Sequence, residues 1–310
     1  MVIGISPLVD FAFKLMFGSP EHTRVTIHFL NAMLAGQPKI TKIQLLNPFL
    51  DKEWEFDKLS VLDILATDEH GRMLNIEMQT TVPAGLPERL TYYAADLYAS
   101  QLVEGQPYTD LRPSITICVL STSMFPNIPE LHLDFRLREE RGQLLTDDLQ
   151  IHLLELPKLQ LSAQNVASAS PIEQWAYFLL NVENLTPDDI KRLFPDIEFQ
   201  EAAGVLVMIS LTPRQQRVYD AFMKLKRDEA TRVVSTEIAL EEALRKGEEK
   251  GRLEGEERGR RVGELLGRIA VLQDLLGLAE PTSAELSLYD PGRLSELADQ
   301  LQHQVRNRGH

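Results

Sequence analysis

The stretch LSVLDILATDEHGRMLNIEMQTT, residues 59–81, predicts a β-hairpin that the rest of the chain surrounds. Two runs rich in apolar residues flank a three-residue loop, Glu69-His70-Gly71. A glycine in the last place of such a loop suits a type I turn that closes with a residue in the left-handed region. This turn pairs Asp68 with Arg72, and every later pair of the hairpin follows from it.

The predicted register gives the hairpin one apolar face. It places apolar residues opposite one another in the pairs Ala66–Leu74, Ile64–Ile76 and Leu62–Met78. A shift of one residue would move all of these side chains to the other face, so the pattern itself selects this register.

The other face of the hairpin brings two carboxylates together, because Asp63 lies opposite Glu77. Directly opposed residues have Cβ atoms about 5 Å apart, and like charges at that distance push one group toward protonation. A divalent cation between them would remove the repulsion, and Gln79 projects from the same face two residues further on. We interpret the three residues as a hard-cation site. The alternative is the ordinary solvated face of an antiparallel sheet.

Composition and charge are those of a globular protein without a basic surface. The 310-residue chain is 44% hydrophobic and 25% charged, which allows one large domain or two modest ones. Its net charge is −14, and none of the segments 1–120, 121–240 and 241–310 is basic overall. Any contact with DNA would therefore use local basic patches and a metal ion.

Cysteine usage and the N-terminus predict a cytoplasmic protein. The single cysteine, Cys118, lies in an apolar run and is interpreted as a core residue, so no disulfide framework is expected within the chain. The N-terminus lacks the basic start and apolar segment of a signal peptide, and no apolar run is long enough to span a bilayer. We expect no membrane association.

Hydrophobic periodicity predicts an α/β region followed by helices. The predicted helices of the first part are 7–17, capped by Ser6-Pro7, then 20–35 and 88–104. The predicted strands, besides the hairpin, are 40–46, 114–121, 130–139 and 149–156. His132 and His152 fall on the polar phase of the last two strands, and we interpret both as surface residues.

After Pro157 the pattern is helical. Helices are predicted at 171–180, after the Thr186 cap, at 198–211, and from Pro213 to about residue 232. The last of these carries a basic patch of Arg214, Arg217, Lys224 and Arg227, which is either a phosphate-binding track or a solvated helix face.

A regular glycine repeat marks the C-terminal region. Glycine occupies every fourth position from 247 to 267, a spacing that forms a slowly winding stripe on a helix. Each glycine costs roughly 1 kcal/mol in a helix relative to alanine. The repeat is therefore either a surface for helix–helix contact and self-association or a charged, partly disordered linker. Two apolar helices are predicted after it, at 269–278 and 291–305.

Four stretches carry a resemblance to a known family: DFAFKLMFG (10–18), LDILATDEHGRMLNIEMQ (62–79), RLTYYAADLY (89–98) and EGQPYTDLRPSITICVLS (104–121). Together with the order of elements, they resemble the Rpn family of recombination-promoting nucleases and putative transposases, a branch of the PD-(D/E)XK nucleases. The similarity covers about residues 5–125 and extends to the glycine repeat.

The resemblance implies a Mg²⁺- or Mn²⁺-dependent DNA endonuclease. It implies that Asp63 and Glu77 are metal-binding acids, that Gln79 occupies the place of the lysine found in most of the wider superfamily, and that Asp10 is the acid of the first helix. Leu62 stands where the wider motif has proline. Three further residues are candidates for substrate binding: Lys14, Arg89 and Tyr93.

The expected architecture is a PD-(D/E)XK core, a mixed sheet flanked by helices, in residues 1–160. A helical region (161–235) and a glycine-repeat helix with a helical tail (236–310) are expected to follow. The expected function is metal-dependent cleavage of DNA in recombination, transposition-like or defence processes, by a homo-oligomer assembled through the tail. The alternatives are a catalytically weak or inactive nuclease fold that binds DNA or self-associates, and a hydrolase of another phosphoester.

Overall fold

The computed structural model describes residues 1–47, 64–278 and 290–308. The chain divides into two compact units, Met1–Arg227 and Asp228–His310. The first unit contains the sheet and most of the helices, and the second is helical.

Most helices of the chain begin and end close to the predicted positions, but the predicted helices 213–232 and 269–278 are parts of one continuous helix, Pro213–Leu276. The bounds are α1 Asp10–Gly18, α2 Thr23–Met33, α3 Leu86–Ala99, α4 Pro171–Asn181, α5 Pro187–Leu193, α6 Ile197–Leu211, α7 Pro213–Leu276 and α8 Pro291–Arg308. Ser170 caps α4 and Thr186 caps α5, each through reciprocal hydrogen bonds with the acidic residue three positions later in the chain. This pattern is local in the sequence, which explains why the starts of both helices could be predicted. None of the described helices is long and apolar enough to cross a membrane.

A six-stranded mixed sheet forms the centre of the first unit. Its strands are β1 Ile43–Leu45, β2 Ile64–Asp68, β3 Met73–Gln79, β4 Ser114–Leu120, β5 His132–Arg138 and β6 Leu144–Glu155. They lie in the order β1-β2-β3-β4-β6-β5. The pairs β3–β4 and β4–β6 are parallel, and the other three are antiparallel. The parallel pair β3–β4 needs a crossover connection, and α3 provides it.

The hairpin has the predicted register, with the pairs Thr67–Met73, Ala66–Leu74, Leu65–Asn75 and Ile64–Ile76. Gly71 has a φ of 78° and donates its backbone N–H to the Asp68 carbonyl at 3.0 Å, as the predicted turn requires. Asp68 also accepts from Arg72 Nε at 2.5 Å, with both side chains buried. The predicted partners Leu62 and Asp63 lie outside the described residues.

Both faces of the sheet are covered. On one face, Ile64, Ala66, Leu74 and Ile76 belong to the large hydrophobic core that also contains residues of α1, α2, α4 and α6. On the other face, α3 packs against the C-terminal halves of β4 and β6, with a cluster of Leu86, Leu90, Cys118, Leu120 and Leu153. Cys118 is fully buried, which confirms its interpretation as a core residue.

Trp175 of α4 links three helices of the larger core. Its ring lies between 4.5 and 5.7 Å from those of Phe199, Phe17, Phe178, Phe29 and His28. Its Nε1–H donates to His28 Nδ1 at 3.0 Å, and His28 Nε2 lies 3.2 Å from Asp196 Oδ2. Helices α4 and α6 therefore share a core with α1 and α2, and the division of this unit at residue 160 stays a prediction.

Two local predictions were wrong. Ser6 does not cap a helix at Pro7: α1 starts at Asp10 after the N-cap Val9, and the Ser6 backbone N–H donates to the Tyr219 hydroxyl of α7 at 2.9 Å. His152 is not on the surface but 1% exposed, because β6 lies between β4 and β5. Its Nδ1 lies 2.9 Å from Nε2 of the half-buried His132.

The second unit is organised around a helix pair. The end of α7 packs against α8 through Ile269, Leu276, Leu294, Ala298 and Leu301. The glycine repeat lies in continuous helix, and a Cβ built at any of the six glycines from 247 to 267 meets nothing within 4 Å apart from its own helix backbone. The disordered-linker interpretation is therefore wrong, since the segment is helical, and a contact surface there stays a prediction.

Candidate active site

Glu77 lies in the middle of the sheet on the face that α3 covers. Its strand β3 runs between β2 and β4, and its direct partner in β4 is Cys118. Paired residues of neighbouring strands point to the same face, and Cys118 packs against α3. Glu77 therefore faces the α3 side, where it is 2% exposed. A buried position excludes the solvated-face interpretation of this carboxylate.

Two amide side chains hold the Glu77 carboxylate. Asn75 donates from Nδ2 to Glu77 Oε1 at 2.9 Å, and Gln79 approaches Oε2 from Nε2 at 3.5 Å. The three residues occupy alternate positions of β3, so their side chains project from one face. Hydrogen bonds donated to a carboxylate favour its ionised form and fix the directions of its remaining lone pairs.

Further polar oxygens lie on the same face of the sheet as this carboxylate. Asn75 Oδ1 and Thr116 Oγ1 are buried and, within the described part of the chain, have no hydrogen-bond partner. Asn75 and Thr116 are direct partners across β3 and β4. Buried polar atoms in folded proteins are almost always satisfied. A carboxylate with unsatisfied amide and hydroxyl oxygens beside it is an oxygen-rich donor set of the kind that Mg²⁺ and Mn²⁺ prefer.

The second predicted acid, Asp63, falls outside the described residues. The described register of the hairpin ends with Ile64 opposite Ile76. Among the described residues, no three His, Cys, Asp or Glu side chains come close enough to form a metal cluster. The pairing of Asp63 with Glu77 stays a prediction.

Asp10 and Lys14 form an ion pair on α1. Lys14 Nζ lies 3.7 Å from Asp10 Oδ2, and the Lys14 side chain is 6% exposed. Helix α1 contacts β2, the strand that directly follows Asp63 in the sequence. This contact is on the core face of the sheet, opposite to the face that Glu77 occupies, so the joining of Asp10 and Glu77 in one site stays a prediction.

Arg89 and Tyr93 lie one turn apart on α3, which contacts β3, β4 and β6. Both side chains are half-buried. Arg89 Nε and Nη2 are inaccessible to solvent and, among the described residues, have no hydrogen-bond partner. Guanidinium N–H groups without a partner are costly, so an anionic group that accepts from them would be stabilised.

Sequence reasoning did not identify Asn75 and Thr116 as site residues. The signal for Asn75 was available, because residues 75, 77 and 79 alternate along one strand and share its polar face. Thr116 could not be found in this way, since its position depends on the parallel pairing of β3 with β4, which no local pattern encodes.

Comparison with models of protein families matches residues 7–236 to the model described as PD-(D/E)XK nuclease family transposase. The matched residues include the whole sheet, α1 to α6 and the first part of α7. No curated protein and no solved structure gave a match. The match covers more than two thirds of the chain and joins the acid-bearing hairpin to the helices around it. The chain therefore belongs to the PD-(D/E)XK nuclease family of transposases.

Proposed function

We propose that this chain is a Mg²⁺-dependent DNA endonuclease, with Mn²⁺ as an alternative ion, whose site is formed by Asp63, Glu77, Gln79 and Asp10. Family membership indicates a nuclease-type function. The observation that carries the proposal further is Glu77 itself, a buried carboxylate held by two amides beside unsatisfied oxygens.

The chemistry assigns a separate role to each residue. Asp63 and Glu77 would hold the divalent ion, which supplies Lewis acidity and a water of lowered pKa. Gln79 cannot act as a general base, because an amide does not titrate; it orients water through its N–H and carbonyl groups. Asp10 completes the acidic set from α1. The burial of Lys14 beside Asp10 favours a role in positioning that carboxylate over direct contact with DNA.

DNA binding would rest on local groups, because the chain has a net charge of −14. The unsatisfied N–H groups of Arg89 are suited to a phosphate oxygen, and Tyr93 lies one turn further along α3. The exposed Arg217 and Lys224 of α7 extend the possible phosphate track. We assign the activity to recombination, transposition-like or defence processes, in keeping with the transposase description of the family.

Self-association through the glycine repeat is part of the proposal. The six glycines lie on an exposed helix with open space around their Cβ positions. Glycine in a helix interior costs roughly 1 kcal/mol relative to alanine, and a close helix–helix approach would offset this cost.

Cleavage of supercoiled plasmid with Mg²⁺, and with EDTA as the blank, tests the activity. Glu77→Gln and Asp63→Asn keep the shape of each side chain but remove its charge, and each should abolish cleavage and weaken the binding of Mn²⁺ measured by calorimetry. Glu88→Gln, the same change at an exposed position of α3, is the matched control and should cut like the parent. Parent-like cleavage by both site variants would refute the site.

A non-catalytic module is the second candidate, and Gln79 is the observation that favours it. The amide replaces a titratable lysine of the wider superfamily, so this position offers no group that exchanges protons. This candidate predicts that the protein shifts DNA in a gel but leaves plasmid intact with either ion. Cleavage that depends on Glu77 would exclude it.

A further inference from the structure

We propose that the outer edge of β5 is a two-fold interface between two copies of this chain. β5 is the last strand of the sheet, and no other strand of the described chain pairs with its outer edge. The unpaired backbone N–H and C=O groups of an edge strand are a template for pairing with another strand. This surface is separate from the glycine repeat and lies in the first unit.

The side chains along this edge include an exposed apolar strip. Phe135 and Leu137 of β5 are 40% and 45% exposed, and Leu145 of the adjoining β6 is 80% exposed. Phe135 contacts Phe125 inside the chain, with ring centroids 5.6 Å apart, so the strip is anchored to the domain. Edge strands are often protected by charged side chains or bulges, and β5 has Asp134, Arg136 and Arg138 and an irregular ladder to β6 between Arg136 and Arg138. Its charges alternate with the exposed apolar residues, and exposed apolar strips mark contact surfaces.

The sequence of β5 is complementary to itself around Phe135. In an antiparallel pair of two β5 strands with the two-fold axis at Phe135, Leu133 lies opposite Leu137 of the second copy. Asp134 lies opposite Arg136 of the second copy, and His132 opposite Arg138. Apolar residues therefore meet apolar residues on one face, and on the other face the two Asp134–Arg136 pairs of opposite charge flank the axis, with His132 next to Arg138 at the ends.

The neighbouring registers are unfavourable. Moving the axis to residue 134 places two Asp134 carboxylates opposite each other, and moving it to residue 136 does the same with two Arg136 guanidinium groups. Like charges directly opposed across strands are destabilising. The charges thus select a single register, the one that also pairs the apolar residues.

The local charge at the edge does not oppose this association, although the whole chain has a net charge of −14. Arg136 is paired within its own chain with Asp134 and Asp147, so the edge carries no excess of one sign at this point. Seven residues at about 3.3 Å per residue give a contact line of about 23 Å. The two sheets would join into one continuous sheet of twelve strands with two candidate sites related by the axis. A cut in both DNA strands by the two sites would depend on the proposed nuclease function. The interface itself does not depend on it.

The interface is tested by exchanging charges across the axis in the full-length chain. Asp134→Arg places arginines opposite each other in a homodimer, and Arg136→Asp does the same with aspartates. Each variant alone should dissociate at least roughly tenfold more readily than the parent, which corresponds to about 1.4 kcal/mol. An equimolar mixture of the two restores both opposite-charge pairs and should form a 1:1 heterodimer.

Sedimentation velocity measures these states over a concentration series, and circular dichroism verifies that each variant is folded. Asp188→Arg, an exposed acid of α5, is the matched control and should associate like the parent. A monomeric parent, or two variants that dimerise like it, would overturn the interface. If only Gly251→Glu abolishes the dimer, association belongs to the glycine repeat, and the β5 interface is overturned. Plasmid cleavage by the parent protein tests the nuclease proposal separately, whatever the sedimentation results show about the interface.

Discussion

The side-chain amide of Asn75 donates to Glu77 Oε1 at 2.9 Å, and both side chains are buried. The donor is two residues before the acceptor on the same strand, so the pair is fixed by the backbone of β3 and not by a loop. A carboxylate held in this way keeps one orientation, which leaves its other oxygen directed by Gln79. Rigid support of this kind is what a metal ligand requires.

Asn75→Leu should reduce cleavage by about 10- to 100-fold at limiting Mg²⁺, because the loss of a group that orients a metal ligand has this effect. The defect should shrink as the Mg²⁺ concentration is raised. The measurement is the initial rate of plasmid nicking as a function of Mg²⁺. Asn307→Leu, the same change at an exposed position of α8, should leave the rate unchanged. A defect in Asn75→Leu that stays constant at every Mg²⁺ concentration would contradict this role.

Arg89→Ala should weaken DNA binding and at the same time leave the protein at least as stable as the parent. The substitution removes buried N–H groups that have no partner among the described residues, and such groups cost about 1–3 kcal/mol each. Fluorescence anisotropy with labelled duplex and thermal melting measure the two effects. Arg306→Ala on α8 serves as the control. A large fall in melting temperature would show that Arg89 has a structural partner instead.

Acid should destabilise the first unit because of the buried histidine pair. Burial lowers the pKa of His152 to about 4, and it also lowers the pKa of His132. The charge of Asp134 opposes both shifts, and the charge of Arg136 adds to the shift of His152. Between about pH 6.5 and 4 the unfolded chain binds a proton at His152 that the folded chain does not, so stability falls as the pH falls.

The loss amounts to about 2–3 kcal/mol for His152. Urea unfolding at pH 7 and at pH 4.5 measures it, and His152→Gln should show a smaller difference between the two. The exposed His303 provides the control substitution, His303→Gln, which should keep the parent's pH dependence. Equal losses in the parent and in His152→Gln would rule out the histidine as the cause.

Gly71→Ala and Gly255→Ala should have opposite effects on stability. Gly71 has a φ of 78°, and an added Cβ would lie 3.2 Å from Arg112 Cγ, so alanine should cost about 1–2 kcal/mol. Gly255 lies in helix with open space at its Cβ, so at concentrations below self-association alanine should stabilise the helix by roughly 0.5–1 kcal/mol. Chemical denaturation and helix melting followed by circular dichroism measure these effects. Effects of the same sign would contradict the turn assignment.

The hairpin and its register were predictable because they depend on local alternation and on one glycine. Thr67 to Met73 could be paired by counting from Gly71, and no distant contact alters that count. The start of α1 was predicted wrongly from Ser6-Pro7, and the partner that Ser6 has in the fold, Tyr219, is more than 200 residues away in the chain. The burial of His152 was missed because it depends on β6 lying between β4 and β5.

The bond from Trp175 to His28 has an experimental use. Because the indole N–H is the donor, Nδ1 of His28 must be the acceptor, and the imidazole proton therefore lies on Nε2, facing Asp196. The sequence contains two tryptophans, Trp54 and Trp175. With Trp54 replaced by phenylalanine, the emission spectrum of Trp175 becomes an optical reporter of the packing of α4 against α2 inside the aromatic core.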